Sequence, residues 1–141
     1  MRVVTLNTSG NNAEDKYEKL KKGEITERIK IFEDACKEIN IVFDEQALID
    51  LGFSVDEIAY RKLKIITEAL NQQWKADYKD GDQKKWVPWF KISPSGLVFR
   101  GTNYCCSNAD AGYASRLCFP SEALAAYAGK TFTEIYSKFI V

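Results

Sequence analysis

The spacing of apolar residues along the chain predicts helices in its first half. From Glu24 onward they recur at the three-to-four-residue spacing of one helix face, which predicts an amphipathic helix over residues 24–39. Asp44 is typical of the N-cap of a short helix through Leu51, with Gly52 as the C′ residue. Ser54 with Glu57 forms a capping-box pattern that opens a longer helix. The predicted core stripes are Ile25, Ile29, Phe32, Cys36 and Ile39 in the first helix, and Val55, Ala59, Leu63, Ile66, Leu70 and Trp74 in the long one.

After the turn sequence Asp80-Gly81-Asp82 the pattern changes to one that favours strands. Residues 86–93 and 97–104 are rich in aromatic and β-branched side chains, and the intervening Pro94-Ser95-Gly96 is a good hairpin connection. Pro88 has no N–H to donate, which predicts that it lies at a sheet edge or a bulge. Alternation assigns Phe90, Ile92, Leu97 and Phe99 to the core face, and Trp89, Lys91, Val98 and Arg100 to the opposite face.

The last quarter of the chain predicts one more strand and two helices. Residues 116–119 are typical of a third strand that ends at Pro120. Ser121 is a predicted cap of a helix that stops at Gly129, and residues 131–134 match a second capping box that opens the final helix. The sequence therefore predicts an α+β fold with a helical N-terminal half, a small three-stranded antiparallel β meander and two C-terminal helices. We predict a single α+β domain over residues 24–141. For the charged residues 1–23 the pattern predicts either a flexible arm or a loosely held helix.

Length and charge restrict the class of protein. A chain of 141 residues fits one domain, and it contains neither an apolar run of membrane-spanning length nor a signal-peptide core at its start, so we expect no membrane segment and a cytoplasmic location. Residues 1–83 contain 13 Lys and Arg against 17 Asp and Glu, a net charge of −4, whereas residues 84–141 contain 7 against 3, a net charge of +4. This difference is compatible with an anionic partner for the second half, or with an ordinary solvated surface.

The residue types present argue against the common catalytic sites. The chain has no histidine, so serine or cysteine nucleophiles lack their usual base, and it has no glycine-rich phosphate loop. Cys36, Cys105, Cys106 and Cys118 match neither disulfide nor zinc spacing, and we expect reduced thiols. We therefore predict no catalytic residue, no cofactor and no metal, and a protein that is not an enzyme.

The aromatic segment with interleaved cations is the candidate functional feature. Its aromatic side chains can line the core, present a protein-binding face, or stack the bases of a single-stranded nucleic acid while cations contact phosphates. If the polar face is exposed, the residues on which function depends are Trp89, Lys91, Arg100 and Tyr104. The following loop, over residues 103–115, is a second candidate contact region.

Several stretches of the second half resemble a known group of proteins. The resemblance is carried by WVPWF at 86–90, GLVF at 96–99, SRLCF at 115–119, AYAGKTF at 126–132, and Ile135-Tyr136. These residues resemble small uncharacterised proteins encoded by phages and prophages of gut Bacteroidetes, and the resemblance covers residues 86–141. It implies a structural, host-interaction or DNA-metabolism accessory protein, located in the host cytoplasm or the virion. We therefore expect a protein partner or self-association, with single-stranded nucleic-acid binding as the alternative.

Overall fold

The computed structural model describes residues 2–4, 23–109 and 115–141 of the chain. Within these ranges it contains six α-helices, four strands and one 3-10 turn, and the predicted α+β class is confirmed. The first half comprises β1 (Arg2–Val4), α1 (Ile25–Arg28), α2 (Phe32–Glu38), β2 (Ile41–Phe43), α3 (Glu45–Asp50) and α4 (Val55–Asn71). The second half comprises β3 (Lys85–Ser93), β4 (Gly96–Cys105), the 3-10 turn (Ser115–Leu117), α5 (Glu122–Thr131) and α6 (Thr133–Ile140).

The strands form two separate antiparallel pairs. β1 pairs with β2, with Arg2 opposite Phe43, and β3 pairs with β4. The predicted N-terminal arm over residues 1–23 is described only at Arg2–Val4 and Gly23, and its remainder lies outside the described residues. The region from 110 to 114, within the predicted 103–115 loop, lies outside them as well.

The prediction of one continuous helix over residues 24–39 is wrong, because the helix is interrupted between α1 and α2. Ile29 is already extended, with φ −112° and ψ 100°. The carboxylate of Asp34 accepts hydrogen bonds from the backbone N–H groups of Lys30 (2.9 Å) and Ile31 (3.1 Å), which offers these amides an alternative to helical bonding. The apolar stripe survives the break, since Ile25, Ile29 and Cys36 are all buried.

The capping signals around α3 and α4 are confirmed. Asp44 accepts a 2.9 Å hydrogen bond from the N–H of Ala47, and Ser54 and Glu57 form the reciprocal capping box at the start of α4. The ends of the predicted α4 stripe are wrong. Val55 is 65% exposed because it lies in the first turn, and Trp74 lies beyond the helix, which ends at the left-handed Gln72 (φ 48°).

The core forms around α4, which contacts α2, α5 and α6. Fully buried side chains contribute about 1.5–3 kcal/mol each when they are large and apolar. Those with the least exposure are Ile29, Leu48, Leu63, Ile65, Ile66, Leu70, Cys118 and Phe119.

The predicted hairpin is confirmed, but the predicted third strand is not. Ser93 pairs with Gly96 around the Pro94-Ser95 turn, whereas the 116–119 region contributes only an isolated bridge between Phe119 and Trp86. Trp86 and Phe119 exchange two 2.8 Å backbone hydrogen bonds. By strand alternation, the next such donor along this edge of β3 is Pro88, which has no N–H and cannot extend the ladder.

Both C-terminal helices are present, with two differences from their predicted ends. Gly129 does not stop α5, which continues through it to Thr131. A Cβ at Gly129 would stand 2.6 Å from Phe99 Cδ2 and 2.7 Å from Pro88 Cβ, so this glycine allows α5 to approach the hairpin closely. The predicted capping box of Thr131 is also absent, since Phe132 is the N-cap of α6 and the side chain of Thr133 donates to the Gly129 carbonyl at 2.6 Å.

Candidate interaction surface

The β3–β4 hairpin has an inner face that packs on the C-terminal helices. Pro88 and Phe99 lie against Gly129 of α5, and the ring of Phe90 lies 5.1 Å from that of Tyr136 in α6. Phe90 and Phe99 are partners across the ladder and make an edge-to-face contact at 6.1 Å. These contacts hold the middle of the hairpin on the core.

The outer face carries an exposed aromatic side chain beside a cation. Trp89 is 42% exposed, and Lys91, two residues further along β3, is exposed on the same face opposite Val98. The indole of Trp89 lies over Gly101, its ladder partner, where no side chain competes for the space. We refer to Trp89, Lys91 and Val98 as the outer face of the hairpin.

One residue assigned to the core by alternation is exposed instead. Ile92 is 65% exposed although it has the same parity as Phe90. It lies two residues before the Pro94-Ser95 turn, at the far end of the strand from the buried Lys85 and Val87. Alternation sets the face on which a side chain lies, but the side chain is buried only where another element covers that face.

The four candidate residues do not share one face. Trp89 and Lys91 lie together, and Arg100 is the exposed extra residue of a β-bulge, since Trp89 pairs with Gly101 and Phe90 with Phe99. Tyr104 has the opposite orientation in β4, with its ring 4.8 Å from that of Trp86. It is 52% exposed, and the ammonium of Lys84 lies 4.8 Å above its ring.

Charge on the hairpin has a single sign. Residues 84–105 contain four cations and neither Asp nor Glu. Outside this segment, the carboxylate of Glu122 in α5 accepts a 3.4 Å hydrogen bond from the hydroxyl of Thr102. The exposed cations Lys84, Lys91 and Arg100 therefore give the hairpin a positive potential.

Lys85 anchors the base of the hairpin, a role that the sequence pattern did not indicate. Its side chain is fully buried, and Nζ donates to the carbonyl oxygens of Asp80 (3.1 Å), Gln83 (2.9 Å) and Cys106 (2.8 Å). The ammonium also lies 5.0 Å from the ring centre of Tyr78. The three hydrogen bonds that the buried ammonium donates compensate for its loss of water and tie β3 to the chain on both sides of the hairpin.

Polar and thiol side chains beside Lys85 are held in their neutral forms. The hydroxyl of Tyr78 lies 3.6 Å from Sγ of Cys118. Burial raises the pKa of Cys118, against the opposing effects of the Tyr78 hydrogen bond and the Lys85 charge, and burial together with Cys118 raises the pKa of Tyr78. A buried, protonated thiol is a poor nucleophile, so this cluster is structural in character.

A second exposed apolar group lies at the junction of α3 and α4. Ile49, Leu51 and Val55 are 49%, 63% and 65% exposed. Their neighbours Asp50 and Asp56 are exposed carboxylates, so this junction has the opposite charge to the hairpin. It is the competing candidate for a contact surface.

A polar groove of about 1240 Å³ lies at the end of α4. Its walls include cations, but Arg28 pairs with Glu38 at 2.9 Å, and Lys64, Glu68 and Arg116 are each engaged in further contacts. The groove therefore offers few uncommitted charges to a ligand.

The described part of the chain contains neither a metal-binding cluster nor a membrane-spanning helix. There, no three His, Cys, Asp or Glu side chains are grouped so that they could hold a metal ion. Over the same residues, no helix has the length and hydropathy required to cross a bilayer.

Because known proteins supply no match, the function is proposed from the geometry of the described residues. The resemblance to phage and prophage proteins stays a prediction. No protein-family model, no curated protein and no solved structure matches the chain.

Proposed function

We propose that the chain is a non-enzymatic binding protein that recognises a partner protein through the outer face of its β3–β4 hairpin. The observation that carries this proposal is the exposed Trp89 beside Lys91 on a hairpin that contains no carboxylate. Tryptophan supplies a large apolar area with a polar N–H, and it is enriched among the residues that dominate binding energy. Cations around such an anchor provide specificity for a partner of opposite charge.

The attachment of the hairpin to the core supports the proposal. The inner face is packed on α5 and α6, and Lys85 holds the base through three carbonyl groups. A surface presented by a rigid element loses little conformational entropy on association. The resemblance to phage and prophage proteins implies an accessory role, structural or in contact with the host, and binding through this face is a means to perform it.

Single-stranded nucleic acid is the second candidate partner. It is favoured by the position of Lys91 two residues from Trp89 on the same face, because a base can stack on the indole while the cation contacts a phosphate. Tyr104 points to the other face, so the stacking surface is limited to one ring. Titration with a fluorescent oligonucleotide at low and high salt tests this candidate, and binding that weakens steeply with salt would support it.

Affinity purification with matched variants tests the proposed function. The bait is the full chain, chemically crosslinked in extracts of the cells that produce it, and its partners are quantified by mass spectrometry. We expect the double variant Trp89→Ala/Lys91→Ala to lose a specific partner by about tenfold or more, since the anchor and its adjacent charge are removed together. The control Ile49→Ala/Lys37→Ala removes one exposed apolar side chain and one exposed lysine outside the hairpin and should retain the partner. Equal recovery with both variants would exclude the outer face as the binding surface.

A further inference from the structure

The outer edge of β4 presents backbone groups that the described residues leave unpaired. Trp86 directs its N–H and C=O to Phe119, so they point away from β4. In an antiparallel ladder, the residue opposite such a position also directs its backbone groups outward. Tyr104 is that residue, and by alternation the backbone groups of Thr102 point outward too.

β4 is the exposed strand of the pair. None of its residues is buried, whereas Lys85, Val87 and Pro88 of β3 are. Within residues 2–4, 23–109 and 115–141, β3 is the only strand that pairs with β4. A free edge of this kind is a template for an added strand.

The charges beside this edge select the chemistry of such a strand. The ammonium of Lys84 lies over the ring of Tyr104, and Arg100 projects from the bulge four residues away in β4. At the rise of an extended strand these two β4 positions are roughly 13 Å apart, which matches two side chains spaced four residues apart on an adjacent strand. Carboxylates at both positions would face cations.

The same features disfavour a second copy of the chain at this edge. Two β4 edges placed side by side would bring cations against cations, which destabilises strand pairing. The bulge at Arg100 interrupts the regular ladder and therefore also disfavours pairing between two β4 edges. An acidic strand from another protein would not be repelled by the cations of β4, and it would not add a second bulge to the pairing.

We propose that the outer edge of β4 accepts an extended acidic segment of the partner protein as a third strand of the hairpin sheet. This inference rests on the proposed function, because it specifies how the partner is held. The Thr102 and Tyr104 backbones supply main-chain hydrogen bonds, and Lys84 and Arg100 supply charge selectivity. Glu122, which already accepts from the Thr102 side chain, limits how closely a carboxylate approaches at that position.

Peptide binding combined with amide hydrogen exchange tests the inference. The probe is a labelled Val/Thr peptide with two Glu residues four positions apart, and its first control carries Lys at those two positions. We expect the Glu peptide to bind about tenfold more tightly than the Lys peptide, because two exposed charge pairs change from attractive to repulsive. A second control, N-methylated on the amides that would face β4, should bind about tenfold more weakly, because its main-chain donors are lost.

Hydrogen exchange identifies the edge directly. The Glu peptide should slow exchange at the amides of Thr102 and Tyr104 by about tenfold or more, since outward N–H groups become hydrogen-bonded only when a strand is added. Thr102→Pro removes the outward N–H and should abolish binding, whereas Thr102→Ala retains it and should bind. If Thr102→Pro fails to fold, the exchange measurement on the unmodified chain decides the question alone.

The outcomes separate this inference from the proposed function. Partner capture that depends on Trp89 and Lys91, without slowed exchange at Thr102 and Tyr104, would overturn the added strand and leave the outer face as the binding surface. Slowed exchange without peptide, together with a concentration-dependent mass, would show that a second copy occupies the edge and would overturn the acidic-segment proposal. If an oligonucleotide slows exchange at Thr102 and Tyr104 and no peptide does, the acidic-segment proposal is overturned as well.

Discussion

The indole of Trp89 lies against the backbone of Gly101, its partner across the hairpin. A Cβ at Gly101 would stand 2.9 Å from the indole Nε1 and 3.5 Å from Cε2, so the glycine leaves the space that the ring uses. The ring is nevertheless 42% exposed. A tryptophan that is supported on one side and accessible on the other loses little rotamer freedom when a partner covers it.

Gly101→Ala is expected to displace the indole and weaken partner binding without unfolding the chain. The new methyl group would stand 2.9 Å from Nε1, but Trp89 is exposed enough to move aside, so the free energy of unfolding should change by less than about 1 kcal/mol. Tryptophan fluorescence and partner recovery measure the two effects. Gly81→Ala is the control, because among the described residues its Cβ would meet nothing nearer than Ser107 Cβ at 3.7 Å. Unchanged binding by Gly101→Ala would show that the position of the ring is unimportant.

Lys85→Met should destabilise the base of the hairpin. The substitution retains the apolar stem but leaves three carbonyl groups without their donor, and the expected loss in the free energy of unfolding is about 3 kcal/mol. Urea denaturation measures it. The neighbouring Lys84→Met, at an exposed position, should lie within about 0.5 kcal/mol of the unmodified chain. Equal stability of the two variants would contradict the anchoring role of Lys85.

Gly129→Ala should lower stability although alanine favours helix. The helix gains about 1 kcal/mol from the substitution, but the new Cβ would overlap Phe99 and Pro88 at 2.6 and 2.7 Å. We expect a net loss of about 2 kcal/mol in thermal or urea denaturation. Ala123→Gly, at an exposed position in the first turn of α5, measures the propensity effect separately and should lose at most about 1 kcal/mol. A stabilised Gly129→Ala variant would show that α5 does not pack closely on the hairpin.

Tyr136→Phe should change how stability depends on alkaline pH. The Tyr136 hydroxyl is buried and finds no hydrogen-bond partner among the described residues, and burial raises its pKa above the value of 10.0 in the unfolded chain. A group with a raised folded pKa contributes stability below its unfolded pKa, and that contribution is lost as the pH rises further. Burial also raises the pKa of Cys118 from 9.0, so this thiol likewise lowers the stability of the fold at alkaline pH, beginning at a lower pH than Tyr136.

Urea denaturation at about pH 8 and about pH 11 tests this expectation. Between these two pH values the free energy of unfolding should fall by about 1 kcal/mol more in the unmodified chain than in Tyr136→Phe. Ser137→Ala, in the same helix and without a titratable side chain, should follow the unmodified chain. An identical alkaline loss in Tyr136→Phe would mean that this hydroxyl ionises freely in the folded state.

Signals that act within a few residues predicted local structure well. The caps at Asp44 and Ser54 and the turn at Pro94-Ser95 depend on neighbouring backbone groups, and all three are present. The errors arise where a distant or competing group decides the outcome. The carboxylate of Asp34 accepts hydrogen bonds from two backbone amides, and the first helix is interrupted there. Gly129, which by residue type predicts a helix end, instead allows close packing of α5 on the hairpin.

The candidate surface was predictable only in part. Alternation puts Trp89 and Lys91 on one face, and both are exposed, while their role in binding stays a prediction. The anchor at Lys85 was not predictable, because its acceptors are backbone carbonyls at Asp80, Gln83 and Cys106, and any residue type supplies those. The residue type of an acceptor therefore gives no signal when the acceptor is the main chain.

Site-specific photocrosslinking compares the two exposed apolar surfaces most directly. A benzoylphenylalanine is placed at Val98 on the outer face of the hairpin, or at Ile49 in the α3–α4 junction, and each chain is irradiated in extracts of the cells that produce it. Both positions are exposed and aliphatic, so the two probes are matched. We expect a protein crosslink from position 98 that Trp89→Ala reduces, and none from position 49. A crosslink from position 49 alone would contradict the assignment of binding to the hairpin.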